Sequence, residues 1–147
     1  MADLIVTLTE SLSLNTYAQG STSKKTIKGI NESSKRIVTL VDTTEVTLLS
    51  FGATIGAGTF ITSNVKYVRI TNLGKNEEII TLSLQTASDE AIVDLDPGYF
   101  FILSKVEGVL EADGSAIGSP GTALDLTAIL AKSEVSSVDL EIFVASV

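Results

Sequence analysis

The chain of 147 residues contains no cysteine, no histidine and no tryptophan. Without cysteine there is no disulfide framework and no thiol chemistry. Without histidine there is no Ser-His-Asp or Cys-His arrangement and no proton shuttle near neutral pH. Zinc sites built on imidazole or thiolate are excluded, as is the histidine-rich metal centre of cupin-type enzymes. The sequence therefore predicts a protein that is not an enzyme, with no catalytic residue and no cofactor.

Basic residues are also scarce, because 10 lysines and arginines stand against 18 acidic residues and the net charge is -8. Phosphate backbones and anionic lipid heads repel such a chain, so neither nucleic acid nor a membrane is an expected partner. The N-terminus lacks the basic and apolar regions of a signal peptide, and no apolar run approaches the ~18 residues of a membrane span. We expect a soluble protein made in a reducing cytoplasm.

Carboxylates are the only acid/base or metal-binding groups left to consider. Asp89-Glu90 and the pair Asp94 and Asp96 could form an acid/base pair or ligate calcium. Pro97-Gly98 follows Asp96 directly, which is typical of a turn, and the acidic loop of a calcium-binding helix pair is absent. The turn is the favoured interpretation, and no metal site is predicted.

Most of the chain alternates apolar and polar residues with a period of two, as half-buried strands do. Leu4, Val6 and Leu8 show this pattern near the start, and Leu140, Ile142 and others show it near the end. Valine, isoleucine and threonine are abundant, and turn residues interrupt the pattern at short intervals. The sequence predicts one all-β domain over residues 1–147, a sandwich or barrel, with an antiparallel β-sandwich as the favoured form.

Several segments receive more specific predictions. Residues 37–41 alternate apolar side chains on both sides and are predicted to be buried on both faces. Residues 124–132 fit a strand better than a helix. Residues 52–59 and 111–122 are glycine-rich or serine-rich, and we expect irregular loops that could carry function at the tips of the sandwich. The predicted strand at 124–132 places four side chains on one face: Leu124, Leu126, Ala128 and Leu130.

Aromatic residues and one arginine are the candidates for an interface. Tyr67 and Arg69 share a strand face. A strand arginine must pair with a carboxylate or reach solvent, and a cross-strand ion pair is the favoured interpretation. A contact between subunits is the alternative, since tyrosine and arginine are enriched in interface cores. Residues 99–101 are three consecutive aromatics, so at least one needs a second apolar surface. The candidate interface residues are Tyr67, Arg69, Tyr99, Phe101 and Phe143.

Free sheet edges must be protected or used, and addition of a strand to a neighbour is a common use. We expect the first strand, residues 3–10, or the last, residues 137–147, to take part in such a contact.

Five segments together carry a family resemblance. They are LIVTLTE at 4–10, KRIVTL at 35–40, GAGTF at 56–60, YVRITNL at 67–73 and LDPGYF at 95–100. With these segments the chain resembles small structural proteins of tailed bacteriophages, notably those of cyanobacterial and other marine phages. The similarity runs over most of the chain and transfers no catalytic residue.

The resemblance implies a jelly-roll cement or decoration protein on the exterior of the phage head. Its expected partners are the major capsid protein and copies of itself, in a homo-oligomer such as a trimer. Its expected location is the virion, assembled in the host cytoplasm. A carbohydrate- or receptor-binding sandwich module of a phage tail or neck stays open as the alternative function.

Overall fold

The computed structural model describes residues 1–41, 43–110, 123–134 and 137–147. Within them lie thirteen strands and one short 3-10 turn, Thr62–Asn64. The strands are β1 Ala2–Thr9, β2 Ser13–Leu14, β3 Tyr17–Ala18, β4 Thr22–Ile30, β5 Glu32–Leu40, β6 Val46–Gly52, β7 Thr59–Ile61, β8 Val65–Asn72, β9 Ile80–Gln85, β10 Glu90–Leu95, β11 Phe100–Leu103, β12 Ala128–Ser133 and β13 Val138–Ser146.

Two sheets form the body of the molecule, which is the part from β5 to β13. One sheet has the order β11-β8-β13-β5 and the other β10-β9-β12-β6-β7. All pairings are antiparallel except that of the short strand β7 with β6. Without β7, the eight body strands have the strand order of a jelly roll, in which the first lies beside the eighth and the second beside the seventh. The predicted all-β antiparallel sandwich is confirmed.

The core lies between these two sheets. Alternate residues of β8 and β13, among them Val68, Ile70 and Ile142, are fully buried on the inner face of the four-stranded sheet. Leu82 of β9 and Ile129 of β12 are fully buried on the other side and belong to the same cluster. Because strand side chains alternate between faces, the period of two in the sequence delivers one apolar layer from each sheet.

A buried asparagine fixes one end of the sandwich. The side-chain amide of Asn72, at the end of β8, donates to the carbonyl oxygens of Glu78 and Leu95, each at 2.8 Å. Its Oδ1 accepts from the backbone N–H of Gly74 at 2.7 Å. The whole side chain is therefore satisfied without water, as a buried amide requires.

The structure confirms the turn predicted after β10. Tyr99 N–H donates to the carbonyl oxygen of Asp96 at 3.1 Å, and Gly98 has a φ of 79°. A proline followed by a glycine at positive φ is the combination that a type II turn uses. Asp94 lies two residues before Asp96, within β10, and its carboxylate accepts a hydrogen bond from the Thr81 hydroxyl at 2.8 Å.

Two predictions of burial are wrong. In 37–41, Ile37 and Val41 are 61% and 62% exposed, because one face of this edge strand is not covered there. Residues 128–133 do form a strand, but Ile129 and Ala131 point inward and Leu130 does not. Leu126 is buried, as are Ile129 and Ala131, so the inward-pointing side chains change from even to odd residue numbers before β12 begins. The predicted face of Leu124, Leu126, Ala128 and Leu130 is therefore not formed. Residues 52–59 connect β6 to β7 as expected, and the predicted loop 111–122 lies outside the described residues.

Candidate functional site

The first thirty residues form one long hairpin rather than separate strands. The pairing register is constant from Leu4 opposite Ile27 to Leu14 opposite Tyr17. Backbone hydrogen bonds continue this register between the assigned strands, with Gln19 N–H donating to Leu12 O at 2.8 Å. Asn15 and Thr16 close the hairpin with φ values of 50° and 70°. Two consecutive residues at positive φ define the type I′ turn, whose twist matches that of paired strands.

Gly20 is needed for the strands to stay paired midway along the hairpin. A Cβ atom at this position would collide with the carbonyl oxygen of Glu10. Glu10 N–H donates to Ser21 O at 2.8 Å beside it. The glycine thus permits a close backbone approach that any larger residue would prevent.

The hairpin has a supported part, whose apolar side chains pack against the body, and an unsupported part, whose side chains are exposed. Leu4, Val6 and Ile27 are half-buried against the body. Residues 7–26, here called the arm, are all exposed. With a rise of about 3.3 Å per residue, its strand from 7 to 14 is ~26 Å long. The even-numbered residues of this strand continue the face of Leu4 and Val6. On or opposite that face lie Leu8, Leu12, Leu14 and Tyr17, which are 47%, 54%, 53% and 73% exposed.

The supported part of the hairpin covers one end of the outer face of the four-stranded sheet. Tyr67 is buried there with Ile30 and Ala145, and Phe143 packs against the same cluster. The rings of Tyr67 and Phe143 meet edge to face, with centroids 6.0 Å apart. Burial raises the pKa of Tyr67, and the positive charge of Arg69 opposes part of that rise.

A three-residue ion-pair network lies beside these rings. Arg69 of β8 pairs across the sheet with Glu141 of β13, and Lys35 Nζ of β5 lies 2.9 Å from the other carboxylate oxygen. The hydrogen bond from Lys35 and the two positive charges hold the pKa of Glu141 below its usual range, although partial burial opposes them. The predicted cross-strand ion pair of Arg69 is confirmed. Its Nε is buried and has no hydrogen-bond partner among the residues that the structure describes.

A groove of about 670 Å³ runs between β1 and this outer face. One wall is the strand segment from Leu4 to Leu8, and the floor contains the Arg69 network. The far wall is β11, where Phe100 and Ile102 are 51% and 40% exposed. The groove is therefore mainly apolar, with one paired cluster of charges on its floor.

The structure places the five candidate interface residues in different surroundings. Tyr67, Arg69 and Phe143 meet in the groove. Phe101 packs against the main core, and Tyr99 is exposed in the turn before β11. The sequence reasoning missed Phe100, which reaches the groove because it has the opposite parity to Phe101. It also missed the arm, although the leucines at 8, 12 and 14 share one parity.

The first and the last strand, one of which is expected to take part in a contact with a neighbour, differ in their edges. β13 lies between β5 and β8, so both of its edges are paired and it cannot accept another strand. Within the described ranges β1 pairs with β4 alone, and its other edge faces the groove. The first strand is therefore the one with a free edge.

Among the described residues there is no group of three or more side chains suited to holding a metal ion. No helix in that part of the chain is long and apolar enough to cross a membrane. Comparison with known protein families gave no matching family model, and comparison with curated proteins gave no significant match.

Proposed function

We propose that this chain is a virion structural protein, a capsid cement or decoration protein that binds the exterior of a phage head and stabilises it through oligomeric contacts. The observation that carries the proposal is the arm. It is a regular hairpin with four large apolar side chains on or opposite one face, each of them at least 47% exposed in the part of the chain that the structure describes. Burial of exposed apolar surface of this kind is the main driving force of association.

The composition and the groove support the same proposal. An acidic chain is not drawn to packaged DNA, and the groove offers a second apolar surface beside a free strand edge. The proposed partners are the major capsid protein and further copies of this chain. The proposed location is the virion, after assembly in the host cytoplasm, and the proposed role needs no catalysis.

The test compares phage particles made with and without this protein. We expect mass spectrometry to find the protein in purified wild-type particles at a fixed ratio to the major capsid protein. Particles that lack it should release DNA at a lower temperature or under milder osmotic shock, and adding the purified chain should restore resistance. Absence of the protein from particles, or equal resistance with and without it, would contradict the proposal.

A binding module of a tail or neck is the second candidate, and the groove is the observation that favours it. Its volume of about 670 Å³ falls within the usual range of ligand pockets, about 300–1,000 Å³. Phe100 and Phe143 supply aromatic surface beside Arg69. Saturable binding of a glycan or a host-surface receptor, abolished by Phe100→Ala and unaffected by Ile92→Ala on the other sheet, would favour this role over decoration.

A further inference from the structure

We infer that the arm of one copy lies in the groove of a second copy. The inference rests on the proposed function, because it takes self-association as the way in which the domain assembles. It names the two surfaces that meet: the face of residues 7–26 that carries Leu12 and Leu14, and the groove floored by Arg69. Both surfaces belong to every copy.

The first support is that the same hairpin face already packs on the same sheet face within one chain. Leu4, Val6 and Ile27 lie against Tyr67 and Phe143. The arm repeats this pattern further along the hairpin, with leucines at the same parity. A surface that accepts the supported half of the hairpin is chemically suited to accept the unsupported half of another.

The second support is the free edge of β1. Consecutive residues from Leu4 to Leu8 line the groove, so the backbone N–H and C=O groups of that edge face it as well. Within the described residues these groups have no strand beside them on this side. An extended strand of the incoming arm can pair with β1 while its apolar side chains cover Phe100 and Ile102.

The third support is charge complementarity. Residues 1–30 hold three lysines and two carboxylates, a net charge of +1, whereas residues 31–147 hold seven basic and sixteen acidic residues, a net charge of −9. Within the arm, Glu10 is the carboxylate on the apolar face. Within the groove, two cations, Lys35 and Arg69, share the one carboxylate of Glu141. An incoming Glu10 would supply a second carboxylate and neutralise the remaining positive charge of this network.

Each copy has one arm and one groove, and this fixes the form of the assembly. Such a contact joins two different surfaces, so it closes as a ring, closes as a reciprocal exchange of arms between two copies, or continues as an open filament. Every copy then gives one arm and receives one, which doubles the surface that each buries.

Cysteine cross-linking tests the inference cleanly because the natural chain has no cysteine. Leu12→Cys, in one isotope-labelled sample, is mixed with Ile102→Cys in an unlabelled sample, and the mixed disulfide is measured by mass spectrometry. All these positions are exposed, so folding is not at risk. Ser13→Cys is the matched control on the opposite face of the arm, and Ile92→Cys is the matched control on the other sheet.

We expect the Leu12→Cys and Ile102→Cys pair to give about ten-fold more mixed disulfide than either control pair, because only cysteines that the contact holds close together can be bridged. Equal yields from the Ser13→Cys pair or the Ile92→Cys pair would overturn the inference. A disulfide that forms within single chains carrying both cysteines at high dilution would also overturn it, because the arm would then fold back on its own groove.

A charge variant tests the role of Glu10. Sedimentation equilibrium should show that Glu10→Lys weakens self-association about ten-fold, ~1.4 kcal/mol, whereas Glu45→Lys, an equal charge change at an exposed site, should have a much smaller effect. Equal weakening would overturn the pairing with Arg69.

Decorated particles without mixed disulfides would overturn this inference and leave the proposed function. Mixed disulfides from a chain that does not bind particles would support this inference and overturn the proposed function.

Discussion

The outer faces of the two sheets differ although the sheets belong to one sandwich. On the five-stranded sheet, polar side chains pair with each other across strands: the Ser83 hydroxyl donates to Glu90 at 2.5 Å, and the Thr81 hydroxyl to Asp94 at 2.8 Å. On the four-stranded sheet, aromatic and aliphatic side chains such as Phe143 and Ile102 surround a charged network. The inner faces have the same task in both sheets. The outer face of the five-stranded sheet carries polar pairs that water can solvate, whereas the outer face of the four-stranded sheet offers apolar surface that another protein surface can cover.

The largest expected effect of a single change comes from the face that the hairpin covers. Phe143→Ala removes the ring that packs edge to face on Tyr67 and leaves a gap under β1. We expect a loss of about 2 kcal/mol in the free energy of unfolding, less than for a fully buried phenylalanine because Phe143 is only half-buried. Urea denaturation at low protein concentration measures it.

The matched control for Phe143→Ala is Ile92→Ala, which truncates an apolar side chain on the outer face of the other sheet. Ile92 is mainly exposed, so we expect a change within ~0.5 kcal/mol. Equal losses for the two variants would remove the distinction between the faces.

Acid should weaken the four-stranded face through Glu141. The pKa of this carboxyl is lower in the folded protein than the usual value of about 4.3. Its contribution to stability is therefore present above that usual value and is lost as the pH falls through the lowered pKa. Glu141→Gln should cost about 1 kcal/mol at neutral pH, because Lys35 and Arg69 lose their shared anion.

The measurement for Glu141 is the free energy of unfolding as a function of pH. The difference between wild type and Glu141→Gln should shrink below about pH 4. The control is Asp139→Asn on the same strand, whose carboxylate accepts from Thr39. A constant difference across the acid range would show that the carboxylate charge is not what stabilises this face.

The fold class could be predicted from the sequence because strand alternation directly reports which side chains share a face. Leu140 and Ile142 alternate in the sequence and both lie buried in the core, and the ion pair of Arg69 follows from the cost of an unpaired strand arginine. What could not be predicted is which sheet faces are covered. Ile37 has the residue type of a buried position, yet it lies on the outer face of β5 and is 61% exposed. The periodicity of a strand shows which side chains share a face, but whether that face is buried depends on the elements that pack against it.

The groove could be predicted only in part, for the same reason. Tyr67 and Arg69 were identified, but Phe100 and Phe101 differ in surroundings only through the register of β11 against β8. The leucines at 8, 12 and 14 share one parity in the sequence, but this pattern alone does not identify the arm. The separation of the arm from the body could not be predicted either, because the constant hairpin register past Leu8 results from turn geometry and backbone pairing rather than from burial.

A smaller loss in the free energy of unfolding is expected from a change on the outer face of the five-stranded sheet. Thr81→Val removes the hydroxyl that donates to Asp94 and Glu134 and keeps the shape of the side chain. Both carboxylates are exposed and water can replace the lost bond, so we expect a loss of about 0.5 kcal/mol. Denaturation in parallel with Phe143→Ala measures it. A loss as large as that of Phe143→Ala would mean that the polar network stabilises this sheet as strongly as packing stabilises the other.

The smallest effect on the monomer is expected in the arm, where the comparison of covered and uncovered apolar surface is sharpest. Leu14→Ser replaces a leucine that is 53% exposed, so the free energy of unfolding of the dilute protein should change by less than ~0.5 kcal/mol. The same change should weaken self-association, because the lost apolar surface is buried only between copies. A large loss of monomer stability would show that the arm packs on its own body. If instead both quantities stay at wild-type values, the face that carries Leu12 and Leu14 does not form the contact between copies, and the inferred contact of arm and groove is wrong.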